Sequence, residues 1–173
     1  PEGHFHRRAL AHFEADPGAT AKIDLAVPYI AQSHLTCVPA TLVSLARFWQ
    51  VPADHDEVAD AICYDGTPDW RERRWAETAG FHTREFRVTW DTVVALLDRG
   101  LPFTLTTTAA ESGHLQAVIG YEAARRLVSI RDPGSPYVRA ALAEGLLRSQ
   151  EAHGPRGMVL VPRDRQHLLD GIV

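Results

Sequence analysis

The order of the hydrophobic patterns constrains this chain most strongly. Apolar residues recur at helical spacing up to about residue 98, and short β-branched segments dominate afterwards. A doubly wound fold would alternate strands and helices, so this order predicts the α+β class, with helices packed on a mainly antiparallel sheet. The helices are expected at residues 37–50, 54–63, 68–79 and 90–98, with a further helical patch at 138–149. The strands are expected at residues 102–108, 115–121, 127–131 and 157–161, with loose alternation at 81–88 and an edge strand or extended entry at 24–30.

The length of 173 residues predicts one domain of ordinary size with one substantial core. Residues 4–15 have the spacing of a short amphipathic helix, and Asp-Pro-Gly at 16–18 ends it. A weak similarity of this segment to the end of a helical repeat suggests an upstream helical-repeat region. The expected division is an N-terminal helix and linker at 1–22, a folded domain at 23–162 and a C-terminal tail at 163–173.

Composition excludes several function classes. The net charge of −4 and the pI near 6.1 give no basic surface for a nucleic acid or an anionic membrane. No apolar run approaches the roughly 20 residues of a membrane-spanning helix. The two cysteines are too few for a disulfide framework and lack the paired spacing of a zinc site. No metal is expected, and the thiol chemistry described below requires no organic cofactor. The sequence leaves the cellular location of the protein open, with the cytoplasm favoured.

The segment that leads into the predicted helix at 37–50 carries the most chemical information. Thr36 is a plausible N-cap, and Cys37 would be the first helical residue. A thiol there lies at the positive end of the helix dipole, which favours the thiolate. The side-chain amide of Gln32, with the backbone N–H of Cys37, could give two donors for a developing oxyanion. These residues predict an activated sulfur nucleophile. A lone cysteine at the start of an apolar helix is otherwise usually a core residue, as is expected of Cys63.

A nucleophilic thiol needs a base and a group that orients the base. His114 opens one predicted strand and Asp132 ends the next. If those strands pair antiparallel through the short connection at 122–126, the two side chains meet at one edge of the sheet. Asp-Pro-Gly at 132–134 is also a common turn signal, so Asp132 could instead serve only its own backbone.

The combination Gln-x4-Cys-x-Pro-Ala, a distant Gly-His-x3-Val-Ile-Gly-Tyr and a later Asp-Pro resembles a family. It is similar to the papain-like cysteine peptidases that remove double-glycine leaders from bacteriocins, and to their stand-alone bacterial relatives. The resemblance covers residues 27–161 and implies a papain-like α+β fold, with the cysteine helix packed on an antiparallel sheet. It implies Cys37 as nucleophile, His114 as base, Asp132 as orienting acid and Gln32 in the oxyanion hole. Many papain-like enzymes orient the histidine with asparagine, which this chain lacks entirely.

Two features differ from the exporter enzymes of that family. Those enzymes usually have Asp-Cys-Gly where this chain has Thr36-Cys37-Val38, and no transporter segment is present. The expected substrate is therefore a peptide or protein. The neighbouring residues His34, Thr36, Asp65 and Gly113 are expected to contact it. Three functions stay open at this point: hydrolysis of a peptide bond, transfer of the acyl group to an amine or thiol, and peptide binding by a silent site.

Overall fold

The computed structural model describes residues 21–64, 66–109 and 112–172. The expected helix at 4–15, and with it the upstream end of the chain, lies outside these ranges. Within them the fold is α+β, as predicted. The helices are α1 (Cys37–Phe48), α2 (His55–Ile62), α3 (Asp69–Thr78), α4 (Trp90–Leu97) and α5 (Ala143–Ser149), with 3-10 turns at Glu151–His153 and Arg163–Leu169. The strands are β1 (Lys22–Asp24), β2 (Phe81–Arg87), β3 (Phe103–Ala109), β4 (Ser112–Glu122), β5 (Leu127–Arg131), β6 (Val138–Leu142) and β7 (Arg156–Pro162).

All the strand pairs that the structure describes are antiparallel. The order across the sheet is β2-β7-β3-β4-β5-β6, and β1 pairs with the far end of β4. The pairing of β4 with β5 begins at Ala117, opposite Arg131. The stretch of β4 before Ala117 is therefore paired with β3 on one side, and no strand of the described residues pairs with it on the other.

Two apolar layers hold the sheet between them, because alternate residues of one strand face opposite sides. On β7, Met158 and Leu160 pack with α1, α2 and α3, whereas Val159 and Val161 pack with α4 and α5. The indole N–H of Trp49, which follows α1, donates to Leu160 O at 2.9 Å. This bond ties the end of the cysteine helix to the middle of the sheet.

Helix starts follow the sequence signals at two places. The Asp54 carboxylate accepts the backbone N–H groups of Asp56 and Glu57 at the start of α2, as predicted. Thr89 forms a capping box with Thr92 at the start of α4. Gly80, the expected stop after α3, has a φ of +94°, which glycine adopts without strain.

The prediction of one helical patch over 138–149 is wrong in its first half. Residues Val138–Leu142 form strand β6, in register with β5 from Arg131 opposite Val138 to Leu127 opposite Leu142. Helix α5 starts only at Ala143. The backbone of β5 needs hydrogen-bonding partners, and this tertiary requirement outweighs the weak helical pattern of the segment.

The chain after β7 packs against the domain. Residues Arg163–Leu169 form 3-10 turns, and the side chain of Leu169 is fully buried in the layer that contains α4. The division at 22/23 and 162/163 stays a prediction. None of the helices in the described part of the chain is both long and apolar enough to span a bilayer.

Candidate active site

The loop before α1 sets the position of Cys37. Cys37 is the first residue of α1 and is half-buried. Thr36 occupies the N-cap position, since its carbonyl accepts the N–H of Ala40, but its side chain does not cap the helix. Thr36 Oγ1 instead accepts the N–H of Ser33 at 2.8 Å and lies 3.1 Å from His55 Nε2. The predicted cap is therefore confirmed in position only, and the Thr36 hydroxyl stabilises the loop that carries the cysteine.

Strands β4 and β5 bring His114 and Asp132 together as the antiparallel pairing predicts. His114 Nε2 lies 3.0 Å from Asp132 Oδ1, across the edge of the sheet. The second ring nitrogen, Nδ1, is left for the Cys37 thiol, which lines the same cavity as His114 and whose pKa is lowered by the His114 side chain. Cysteine, histidine and carboxylate thus lie in the order that nucleophilic catalysis requires.

Asp132 is held by more than the histidine. Its Oδ1 also accepts the backbone N–H of Gly134 at 2.8 Å, and its Oδ2 accepts Arg139 Nη1 at 2.6 Å. Burial alone would raise the pKa of this carboxyl, but the Gly134 N–H, His114 and Arg139 together hold its pKa below the ordinary value. Asp132 accepts from the Gly134 N–H of its own turn and contacts His114 as well, so the alternative in which it serves only its own backbone is wrong.

The same contacts shift the titration of the sulfur and the ring in opposite directions. Burial acts to raise the pKa of Cys37, yet the hydrogen bond and charge of His114, with the N–H groups of Leu115 and Val38, lower that pKa overall. The hydrogen bond to Cys37 raises the pKa of His114, and Asp132 adds to this against the opposing effect of burial. Both shifts favour a thiolate–imidazolium pair.

Gln32 lies beside the Asp132 turn. Its backbone N–H donates to Pro133 O at 3.0 Å, and its side-chain Nε2 lies near Gly134, 3.6 Å from where a Cβ of that residue would stand. The side chain is exposed. Gln32 is thereby at the His114–Asp132 side of the site, and its role in an oxyanion hole stays a prediction.

A cavity of about 310 Å³ opens on the sulfur and the imidazole. Gly113, one of the predicted substrate-contact residues, lines it. Thr36 is buried and His34 is exposed; neither lines the cavity, and Asp65 lies outside the described residues. The lining residues are Leu35, Cys37, Val38, Gly66, Thr67, Asp69, Glu72, Thr106, Ser112, Gly113, His114 and Leu115.

The polar wall of this cavity contains a charged group that the sequence did not reveal. Glu72 of α3 is 1% exposed, and its Oε2 accepts Arg156 Nη1 at 2.9 Å. Burial raises the pKa of Glu72 in spite of the guanidinium beside it. Helix α3 is rich in charged residues, and no local signal distinguishes its one buried carboxylate from the solvated ones.

Cys63 was expected in the core but is half-buried at the rim of the same cleft. Its thiol donates to Leu35 O at 3.4 Å and lies 3.2 Å from Thr67 Oγ1. Leu35 has a φ of +58°, a left-handed backbone that is unfavourable for leucine, and its side chain is 54% exposed. Cys63 therefore supports the loop that precedes Cys37, and Thr67 contacts the Cys63 thiol. No cluster of three or more His, Cys, Asp or Glu side chains able to hold a metal ion occurs in the described ranges.

Comparison with solved structures shows the same fold. The peptidase domain of Streptococcus ComA, described as a bi-functional ABC transporter involved in a quorum sensing pathway, matches with a TM-score of 0.65 and 19% identity over 79% of this chain and 99% of that one. A Bacillus anthracis protein described as a C39-like peptidase matches with a TM-score of 0.64 and 15% identity over 83% and 98% of the two chains. A double glycine motif protease from an AMS/PCAT transporter, in complex with the leader peptide, gives 0.62 and 16% over 80% and 94%.

No curated protein matches the chain. The sequence of residues 24–146, however, matches the family described as "Peptidase_C39 like family", and this segment contains Cys37, His114 and Asp132. The match spans well over half of the chain and agrees with the fold of the three solved structures. The chain therefore belongs to the Peptidase_C39-like family.

Proposed function

We propose that this protein is a cysteine peptidase that cleaves a peptide bond through a thioester on Cys37. The observation that carries the proposal is that Cys37 and His114 line one cavity while His114 Nε2 lies 3.0 Å from Asp132 Oδ1. The opposite pKa shifts of thiol and imidazole support the same roles.

In the first half of the reaction, the Cys37 thiolate attacks the carbonyl carbon of the scissile bond. The backbone N–H of Cys37 and the side-chain amide of Gln32 donate to the oxyanion that forms. His114 then gives its Nδ1 proton to the leaving amine as the C–N bond breaks. The products of this half are a thioester on the sulfur and a free amine.

In the second half, water attacks the thioester carbonyl. His114 accepts a proton from the water as the new C–O bond forms, and the sulfur leaves as a thiolate. Asp132 keeps Nε2 protonated and stabilises the imidazolium throughout. All of these steps use groups of the chain itself and water.

The substrate that we propose is a peptide in extended conformation. Gly113 lines the cavity directly before His114, where the absence of a side chain lets a peptide backbone approach. One similar protein is known in complex with its leader peptide, and this supports a peptide substrate for the present chain. The lining combines the apolar Leu35 and Val38 with the acidic Asp69 and Glu72, so the cleft offers both apolar and charged contacts.

The test is a comparison of Cys37→Ala with its matched control Cys63→Ala. Peptide libraries, including sequences with Gly-Gly before a scissile bond, are digested and analysed by mass spectrometry, with and without an added amine acceptor. We expect Cys37→Ala to abolish cleavage and adduct formation with a thiol-directed electrophile, whereas Cys63→Ala retains both. Equal cleavage and labelling by both variants would contradict the proposal, and aminolysis products in place of hydrolysis products would favour acyl transfer.

A further inference from the structure

The hydroxyl of Thr41 joins the cysteine helix to the strand that carries His114. Thr41 Oγ1 donates to Leu115 O at 3.0 Å, and the Thr41 side chain is 2% exposed. The two residues are 74 positions apart in the chain. The bond therefore connects α1 with β4 directly, one residue after the imidazole.

Leu115 offers two backbone groups to α1. It lies in the part of β4 that precedes the pairing with β5, so the edge of β4 opposite β3 has no strand partner there within residues 21–64, 66–109 and 112–172. The C=O of Leu115 accepts the Thr41 hydroxyl, and the backbone N–H of the same residue helps to lower the pKa of the Cys37 thiol. The backbone N–H and C=O groups on a strand edge ordinarily form hydrogen bonds with a neighbouring strand. Here the side chains of α1 face them instead.

Cys37 and Thr41 can do this together because they are four residues apart. Side chains at i and i+4 lie on one face of an α-helix, one turn above the other. One face of α1 thus contacts both polar groups of a single residue. This arrangement fixes the rotation of the helix, and hence the direction of the thiol, relative to His114.

We propose that Thr41 is a positioning residue: its bond to Leu115 holds the Leu115 N–H and the His114 ring against the Cys37 sulfur. The proposal rests on the proposed role of Cys37 as nucleophile. The hydroxyl stabilises the thiolate through the backbone of β4 and does not touch the substrate. Without it, the Leu115 carbonyl has no partner in a buried position, and the segment 114–115 must move to find one.

The test measures the rate at which iodoacetamide, a neutral electrophile, alkylates Cys37 in the folded protein at pH 6 and pH 10. Cys63→Ala serves as the background, so that one thiol is followed. Thr41→Val replaces the hydroxyl by a methyl group of similar size, and Thr41→Ser keeps the hydroxyl. Tyr121→Phe is the matched control, because it removes another side-chain hydrogen bond of β4, the partly buried one from Tyr121 to Asp98 at 2.6 Å, in the opposite layer.

We expect Thr41→Val to lower the rate at pH 6 by about fivefold, since a hydrogen bond that supports a charged group is weakened. The rate at pH 10, where the thiol is ionised in every variant, should stay within about twofold of the parent. Thr41→Ser and Tyr121→Phe should match the parent at both pH values. A purely structural role of Thr41 would not change the ratio of the two rates.

Three outcomes would overturn the proposal. The first is an unchanged ratio in Thr41→Val, and the second is an equal drop in Tyr121→Phe. The third is a Cys37 that reacts no faster than Cys63 at pH 6 in the wild type, which would overturn the proposed function as well.

If Thr41→Val does not fold, Thr41→Ala, which leaves room for a water, takes its place. The Leu115 amide shift in wild-type NMR spectra then gives a second readout, expected to follow the ionisation of Cys37.

Discussion

Arg139 Nη1 lies 2.6 Å from Asp132 Oδ2, the carboxylate oxygen that His114 does not use. The other oxygen, Oδ1, accepts both His114 Nε2 and the N–H of Gly134. Three donors therefore converge on one carboxylate that is 9% exposed. The orienting acid of the proposed site is fixed in place, and its negative charge is shared between the imidazole and a guanidinium on β6.

Replacement of Arg139 by glutamine should raise the pKa of Asp132, because the guanidinium charge is lost. More of the carboxylate charge then acts on the ring, so the pKa of His114 should rise further above its ordinary value. The alkaline limb of kcat/KM should move to higher pH, with a change in turnover below about tenfold, since Arg139 is half exposed and screened. Arg148→Gln, at an exposed ion pair with Glu144, is the control and should leave the pH profile unchanged. An alkaline limb that stays in place in Arg139→Gln would refute the prediction.

The variant Asp132→Asn should keep the fold, but residue 132 should lose its negative charge and its hydrogen bond with Arg139. The N–H of Gly134 and the His114 ring both require an acceptor at Oδ1, so the amide NH2 must face the Arg139 donor. Turnover should fall roughly tenfold to a hundredfold, since the imidazolium loses its counter-charge while the ring keeps its orientation. The free energy of unfolding should drop by about 1 kcal/mol.

The double variant Asp132→Asn with Arg139→Gln separates the two effects. It removes the clash between donors, so it should regain stability in chemical denaturation without regaining turnover. Recovery of turnover in the double variant would mean that the charge of Asp132 is dispensable, and unchanged turnover in Asp132→Asn alone would remove Asp132 from the site.

The sequence was sufficient for the residues whose positions depend on local patterns. Cys37 begins a helix, His114 lies near the start of β4 and Asp132 directly follows β5, and antiparallel pairing across a short connection brings these two positions to one edge of the sheet. Thr41 and Arg139 could not be found in this way. The partner of Thr41 depends on which edge of β4 is left without a strand. The position of Arg139 depends on the pairing of β6 with β5, and the sequence of 138–142 favoured a helix.

His114→Ala should remove the main cause of the low pKa of Cys37, leaving burial to raise it. Wild-type Cys37 should therefore react with iodoacetamide well below pH 9.0, the ordinary thiol value, and the variant should react at least about tenfold more slowly at pH 7. At pH 10 the two rates should converge, since the thiolate then forms without help. His153→Ala is the control and should behave as the wild type. A variant that alkylates at the wild-type rate at pH 7 would show that the ring does not ionise the thiol.

Arg156 is surrounded by three carboxylates, and its removal should destabilise the fold in a pH-dependent way. Its guanidinium lies 2.9 Å from Glu72 Oε2, 3.1 Å from Glu85 Oε1 and 3.6 Å from Asp69 Oδ2. Arg156→Met leaves the buried Glu72 without a counter-charge, which should cost about 3 kcal/mol of unfolding free energy at pH 7.

The sign of the pH dependence follows from Glu72. Its folded pKa already lies above the ordinary value of 4.5, and loss of Arg156 raises it further. Between that ordinary value and the raised folded value, unfolding releases a proton, so the stability of Arg156→Met should fall as the pH rises. Chemical denaturation at pH 5 and pH 8 measures this. Arg73→Met, which loses only the exposed pair with Glu85, should cost less than about 1 kcal/mol at both pH values. A loss in Arg156→Met that is equal at pH 5 and pH 8 would show that Glu72 is not the group that needs the arginine.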